Sequence, residues 1–182
     1  LVRQYYEQNS HVVLIDTGNS YQGLCELIHR KTKGEDGIYY TYSEDKPISF
    51  NPFYTDDYKF SVEKKDSIKT LLLTLWKSED EKITKTESGE LGSAVSAYIR
   101  KIQQDRSIVP SFDTFYEYML GDYRAELAKR DIKVSRDDFN IDNFLTTLRQ
   151  YYKGGRYDFL LNSKENIDPV SYTHLTLPTT SR

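Results

Sequence analysis

The sequence predicts an α/β piece followed by a mainly helical piece, on three observations. The first is the run Val12, Val13, Leu14, Ile15, four apolar residues of which three are β-branched, ending on Asp16. A short continuous apolar run reads as a strand buried on both faces, the kind found in parallel sheets. The second is Ile38, Tyr39, Tyr40, Thr41, Tyr42, a stretch of β-formers that reads as a second strand. The third is the change of period after Ser61, where Ile68, Leu71, Leu72 and Leu75 recur at helical spacing. Between the two β-rich runs lies a helix of about ten residues, long enough for a crossover between neighbouring parallel strands.

Taken in order, residues 1–8 read as a helix with Leu1, Val2 and Tyr5 on its apolar side, closed by Asn9 and Ser10. The buried strand 12–15 follows. Asp16 then falls at the strand's carboxyl end, where open α/β sheets gather ligands. The plainer reading is that Asp16 caps a turn. Thr17, Gly18 and Asn19 form that turn, and Ser20 or Asn19 caps a helix over 20–30 carrying Tyr21, Leu24, Cys25, Leu27 and Ile28. A charged loop spans 31–37. After the second strand and a polar turn at 43–46, residues 47–50 form a short edge strand or an extended segment. Asn51-Pro52-Phe53 ends it with a turn.

The helical part begins at Ser61, with Trp76 beside the first apolar stripe. A charged loop at 77–85 leads to a helix over 86–103, with Leu91, Val95, Tyr98, Ile99 and Ile102 on one face. Thr84 stands three residues before Glu87, the capping-box spacing. Pro110 and Ser111 open a third helix carrying Phe112, Phe115, Tyr116, Met119 and Leu120, and Gly121 is placed to interrupt it before 123–130. Ile141, Phe144, Leu145, Leu148 and Tyr152 mark a fourth, closed by Gly154 and Gly155. Residues 156–161 are a short apolar segment whose type the pattern leaves open.

Composition narrows the function. At 182 residues, one globular domain or one domain with a subdomain is expected. The apolar fraction is 37%, enough for a core because 16 tyrosines add to it. A net charge of −3 argues against a large phosphate-binding surface, so no direct nucleic-acid site is evident. The aromatic stripes read as core rather than as a base-stacking platform. The single cysteine, Cys25, excludes a disulfide framework and a cysteine-rich zinc site, and fits a small apolar residue in a reducing compartment. No apolar run approaches membrane-spanning length, and no signal peptide opens the chain. The chain begins at Leu1, inside a helical pattern and without a Met, which is expected of a truncated sequence. His11 and His29 are isolated, no pair of acids is singled out for proton transfer, and no Gly-x-x-x-x-Gly-Lys-Ser/Thr phosphate loop occurs. No catalytic residue and no metal ligand is assigned.

The last residues change character. Of the ten residues 170–179, six are Thr, Ser or Leu without a clear period. The codons GTC TCT TAT ACA CAT CTG ACG CTG CCG ACG, from a transposase adapter used in sequencing libraries, translate to these ten residues in order. Residues 169–182 are therefore expected to be a non-native tail, the alternative being a native threonine-rich end. His174 then falls outside the native sequence, the native part ends near Asp168, and without Arg182 there are 24 basic and 28 acidic residues, a net charge of −4.

Three stretches resemble one family. They are the fifteen residues from His11 to Cys25, the segment Tyr42-Ser43-Glu44-Asp45-Lys46-Pro47-Ile48-Ser49-Phe50-Asn51-Pro52-Phe53, and Tyr151-Tyr152-Lys153-Gly154-Gly155 with Tyr157 and Leu160-Leu161-Asn162. Together and in this order they resemble the TraG family of conjugative-transposon ATPases, type IV secretion motors related to the FtsK/HerA P-loop proteins. The resemblance implies a partial RecA-like α/β core over 1–60, a helical subdomain over 61–155 and a return segment toward the core over 156–168. It implies that the phosphate loop precedes this stretch and the Walker B strand follows it. The chain departs from the family in lacking both motifs, so it is expected to be inactive by itself. In the parent, the resemblance implies ATP and Mg²⁺, with Asp16 and Ser20 on the sheet edge near the nucleotide. It implies a hexamer in contact with secretion-machine components, cytoplasmic and peripheral to the inner membrane, that powers DNA or protein transfer. The alternative is a stand-alone, non-catalytic interaction module. A small enzyme of another class finds no supporting constellation.

The reading of the tail has a direct check. Deleting residues 170–182 is expected to leave the thermal midpoint unchanged. A loss corresponding to more than about 1 kcal/mol, the size of an ordinary destabilising mutation, would mark the tail as part of the fold.

Overall fold

A computed structural model describes residues 2–10, 12, 14, 18–39, 41, 48–55, 57–130, 135 and 137–164. The chain divides into two units at Ile48 and Ser49.

Among the described residues, the first unit holds two helices. Helix α1, Val2–Glu7, ends as expected at Asn9. Asn9 takes a left-handed φ of 57°, and the Asn9 and Ser10 N–H groups donate to Tyr6 O (2.9 Å) and Tyr5 O (3.0 Å). This pair of bonds satisfies the last carbonyls of the helix. Helix α2, Gln22–Lys31, ends the same way, with Lys33 left-handed (φ 55°) and the Gly34 N–H donating to His29 O at 2.8 Å. The loop then folds back along α2. Thr32 Oγ1 accepts the Asp36 N–H at 2.9 Å, and a Cβ on Gly37 would stand 2.3 Å from Cys25 O. Only glycine lets the chain lie this close to the helix backbone.

One expectation for this unit is corrected, and one is not confirmed by the described residues. The residue that caps α2 is Tyr21, without a side-chain bond, rather than Ser20 or Asn19. The Asn19 side chain is engaged elsewhere, accepting from Tyr39 Oη at 2.7 Å. The unconfirmed expectation is the sheet. Val12 and Leu14 lie outside regular structure and are 39% and 42% exposed. Val13, Ile15 and Asp16 lie outside the described residues, as do Tyr40, Tyr42 and the turn at 43–46. Ile38, Tyr39 and Thr41 are irregular too, and no β-strand occurs among the described residues. A strand needs a neighbour for its N–H and C=O groups, and neither run finds one there. None of the described residues up to Ile48 is buried.

The second unit has a core of its own. Helix α3 (Val62–Trp76) and helix α4 (Lys85–Gln104) form an antiparallel hairpin. Helix α5 (Phe112–Tyr118) runs through a wider π turn, Met119–Tyr123, into helix α6 (Arg124–Lys129). Helix α7 (Ile141–Leu148) packs on α3 and ends in a 3₁₀ turn, Arg149–Tyr151. Gly121, the expected interruption, lies within the π turn. The first turns are capped by short polar side chains, the expected capping box at Thr84 among them. Ser61, Thr84, Ser111 and Asn140 accept the N–H of Lys64, Glu87, Thr114 and Asn143.

Apolar residues at helical spacing meet between these helices. Ile68, Leu72, Leu91, Val95, Ile99, Ile102, Phe112, Phe115, Met119, Phe144 and Leu148 are all 1% exposed or less. Trp76 sits edge-on to Phe139 and Phe144, and its indole N–H donates to Asn143 Oδ1 at 2.6 Å. The unit reaches beyond the limits the pattern suggests. Phe53, Phe60 and Leu161 are buried in the same core, so 49–60 and 156–164 pack with the helices.

The capping box of α4 is tied to the end of α3. Glu87 Oε2 accepts the Thr84 N–H at 2.9 Å, and its Oε1 meets the Lys77 ammonium at 2.6 Å with both side chains largely covered. Burial pushes the Glu87 carboxyl up, but the bonds to Lys77 and to the Thr84 N–H outweigh it and hold the group below its usual range. A carboxyl depressed on folding adds stability above its unfolded pKa and loses it as pH falls through the folded value. The thermal midpoint should therefore drop on acidification through the carboxylate range, and the drop should be smaller in Glu87→Gln. At neutral pH, Thr84→Ala should cost about 1 kcal/mol, read by denaturant melts.

Candidate functional site

The two residues that the sequence places near a nucleotide are not brought together. Asp16 lies outside the described residues, and Ser20 is exposed in the turn before α2. No group of three or more His, Cys, Asp or Glu suited to a metal occurs among the described residues.

A different pair of stretches does converge. Residues 49–53 and 151–163 overlap two of the segments that carry the family resemblance, and they meet at the start of α5. Phe50 is the seam. Its N–H donates to Leu160 O at 2.9 Å, and its C=O accepts the Ser163 N–H at 3.3 Å. Ser49 Oγ adds a bond to Phe159 O. The chain thus leaves and rejoins the helical unit side by side, and these bonds close the unit like a clasp.

Two asparagines seat the clasp. Asn51 is only 7% exposed. Its Oδ1 accepts the Phe53 N–H at 2.9 Å, its backbone O accepts the Tyr54 N–H at 3.0 Å, and its Nδ2 donates to Pro110 O at 2.8 Å. The turn expected at 51–53 is therefore formed, and it is anchored just ahead of α5. It delivers Phe53 into a ring cluster, stacked on Phe115 at 5.1 Å and edge-on to Tyr98 at 5.3 Å. Tyr98 Oη bonds Thr114 Oγ1 at 2.6 Å, and burial pushes its hydroxyl up to about 12.

Asn162 works from the other side. Its Oδ1 accepts the Asp113 N–H in the first turn of α5 at 2.9 Å, and its Nδ2 donates to Asp158 O at 2.9 Å. Asp113 Oδ1 in turn accepts the Lys153 N–H at 3.0 Å. Burial raises the Asp113 carboxyl, partly offset by that bond. Tyr152 stacks on Tyr116 at 4.5 Å and donates to Glu117 Oε1 at 2.9 Å, an oxygen shared with Lys153 Nζ. The turn between them is tight. A Cβ on Gly155 would stand 2.4 Å from Gln150 O, where the Tyr157 N–H already donates at 2.8 Å.

Nothing in this cluster pairs a nucleophile with a base. Its carboxylates are held by backbone N–H groups, a lysine or a phenol. What the arrangement does is fix one piece of chain against another. Sequence reading flagged both stretches by resemblance and missed their meeting. The one local signal was Asn51 set among Phe50, Pro52 and Phe53, a polar side chain that its apolar neighbours carry inward. Asn51→Ala should cost about 2 kcal/mol, because a backbone N–H and a carbonyl lose their buried partner. Gly155→Ala should also destabilise. Urea melts followed by Trp76 fluorescence check both, and unchanged midpoints would remove the clasp's role.

The model of a family described as the TraG P-loop domain matches residues 1–177. That span runs past Asp168 into the threonine-rich end. No curated protein and no solved structure matches the chain.

Proposed function

The chain belongs to the TraG P-loop family, and from that premise we propose that it is the interval between phosphate loop and Walker B strand of a conjugative-transfer, type IV secretion ATPase. The clasp carries this reading. A helical unit with its own core, whose two ends are paired side by side, has the form of an insertion set into another domain. The first unit supports it from the other direction. None of its described residues is buried, although α2 carries Leu24, Cys25, Leu27 and Ile28. In this reading it joins a RecA-like α/β core in the parent. The runs 12–15 and 38–42 then pair as short parallel strands, once neighbouring segments supply the missing ladder partners.

ATP and Mg²⁺ belong, in this reading, to the parent. The residues of this chain do not fit them. The sequence has no phosphate loop, Ser20 is exposed, and α2 opens on an N-cap without a side-chain bond. A phosphate cradle needs the loop's backbone N–H groups and lysine, and Mg²⁺ needs the Walker residues. The chain alone is therefore read as non-catalytic. The parent is read as a hexamer at the inner membrane, working with other secretion components. No described helix is long and apolar enough to cross a membrane. A stand-alone interaction module is the second reading, favoured by the self-contained core of the helical unit. An in-frame phosphate loop upstream of Leu1 in the source DNA decides between the two.

The purified chain should show no ATPase activity and should bind Mg-ATP weakly or not at all. Isothermal titration and a phosphate-release assay measure this. Micromolar binding that Asp16→Ala or Ser20→Ala weakens, or turnover above a heat-killed control, would place a nucleotide site within this segment and end the non-catalytic reading.

A further inference from the structure

The clasp makes no use of the groove between α3, α4 and α6, a space of about 570 Å³. Its floor is α4, where Gly89, Gly92 and Ser93 carry too little side chain to fill it. Around it stand four cations, Lys65 and Lys69 on α3, Arg100 on α4 and Arg130 just after α6, against two lining carboxylates, Asp66 and Glu126. Lys69 is held by Asp66 at 2.9 Å, and Arg130 by Glu90 at 2.7 Å and Glu126 at 3.0 Å. Among the described residues, Lys65 and Arg100 have no carboxylate partner. The groove therefore keeps a net positive charge on two uncommitted side chains.

The matching negative charge lies elsewhere in the same unit. The loop between α3 and α4 carries Glu79, Asp80 and Glu81 against one lysine, Lys82, all exposed. Glu81 is tied within the loop, accepting from the Ser78 N–H at 3.0 Å and from Ser78 Oγ at 2.9 Å. Glu79 and Asp80 have no cation partner among the described residues. They cannot reach the groove's free cations within their own molecule. Lys65 lies eleven residues before the end of α3 and Arg100 fifteen residues after the start of α4. At the helical rise these offsets are roughly 16 and 22 Å along the hairpin.

We infer that this groove receives the acidic loop, Glu79 and Asp80, of a second copy of the chain. Each copy offers the loop at one end of the α3–α4 hairpin and the groove along its side. The contact joins unlike surfaces, the type that builds rings or filaments. It needs no nucleotide and stands apart from the reading of the chain as an ATPase segment. Complementary charge of this kind sets register and partner choice and weakens with salt.

Sedimentation velocity of the full chain at low and high salt tests it. Concentration-dependent association is expected at low salt and its loss at high salt. K65E/R100E and E79K/D80K should each weaken association by about tenfold or more. An equimolar mixture of the two variants should restore it, because the reversed charges again face opposite ones. Thermal melts control for folding, since surface substitutions of this type rarely move stability. A chain that stays monomeric at all concentrations overturns the inference. So does association that the groove variant leaves intact. Loss without rescue in the mixture overturns the loop as occupant.

Discussion

The backbone pairing at Phe50 is the constraint on which the helical unit depends. It joins residues 110 positions apart, Phe50 and Leu160, so it closes a long stretch of chain. Closing a loop of that size has an entropic cost that grows slowly with length, and two hydrogen bonds of ordinary strength do not offset it alone. The offset comes from what the pairing delivers. Asn51 turns the chain and Phe53 enters the rings of Phe115 and Tyr98, while Leu161 enters the core from the opposite strand of chain. Burying large apolar side chains contributes about 2 kcal/mol each, and that is the term that holds the seam shut.

Polar side chains then make the seam specific. Asn51 and Asn162 each bond to backbone groups beside the first turn of α5, one just before it and one within it. A buried amide left unpaired is expensive, so any sliding of 49–53 against 160–163 has to strand several of these groups at once. Apolar contacts alone would tolerate a small shift. The two asparagines do not.

Legibility in the sequence followed the range of the interaction. The helices after Ser61, the Thr84–Glu87 capping box and the opening of α5 at Ser111 are set by residues within one or two turns of each other, and each was readable from spacing. The close of the last helix was not, since the pattern carries it to Gly154 while α7 ends at Leu148 and a 3₁₀ turn at Tyr151. Pairings such as Asn51 with Pro110 or Asn162 with Asp113 span 59 and 49 residues, and no local pattern announces them. The cap of α2 failed for a related reason, since Asn19 is drawn to Tyr39, 20 residues away. The runs at 12–15 and 38–42 have strand composition, yet composition supplies no ladder partner. Their described members are irregular because hydrogen bonding, not propensity, makes a strand.

The two units also differ in what sustains them. The helical unit buries more than twenty apolar residues and would hold its helices through packing. Helix α2 has ten residues and buries none of them. Isolated helices of that length are marginal in water, and what this one has is local, namely the left-handed stop at Lys33, the Thr32 bonds and the close passage of Gly37. Those devices fix where a helix ends. They do not bury Leu24, Leu27 or Ile28. The covering that α2 lacks and the helical unit has is the physical difference between the two units among the described residues.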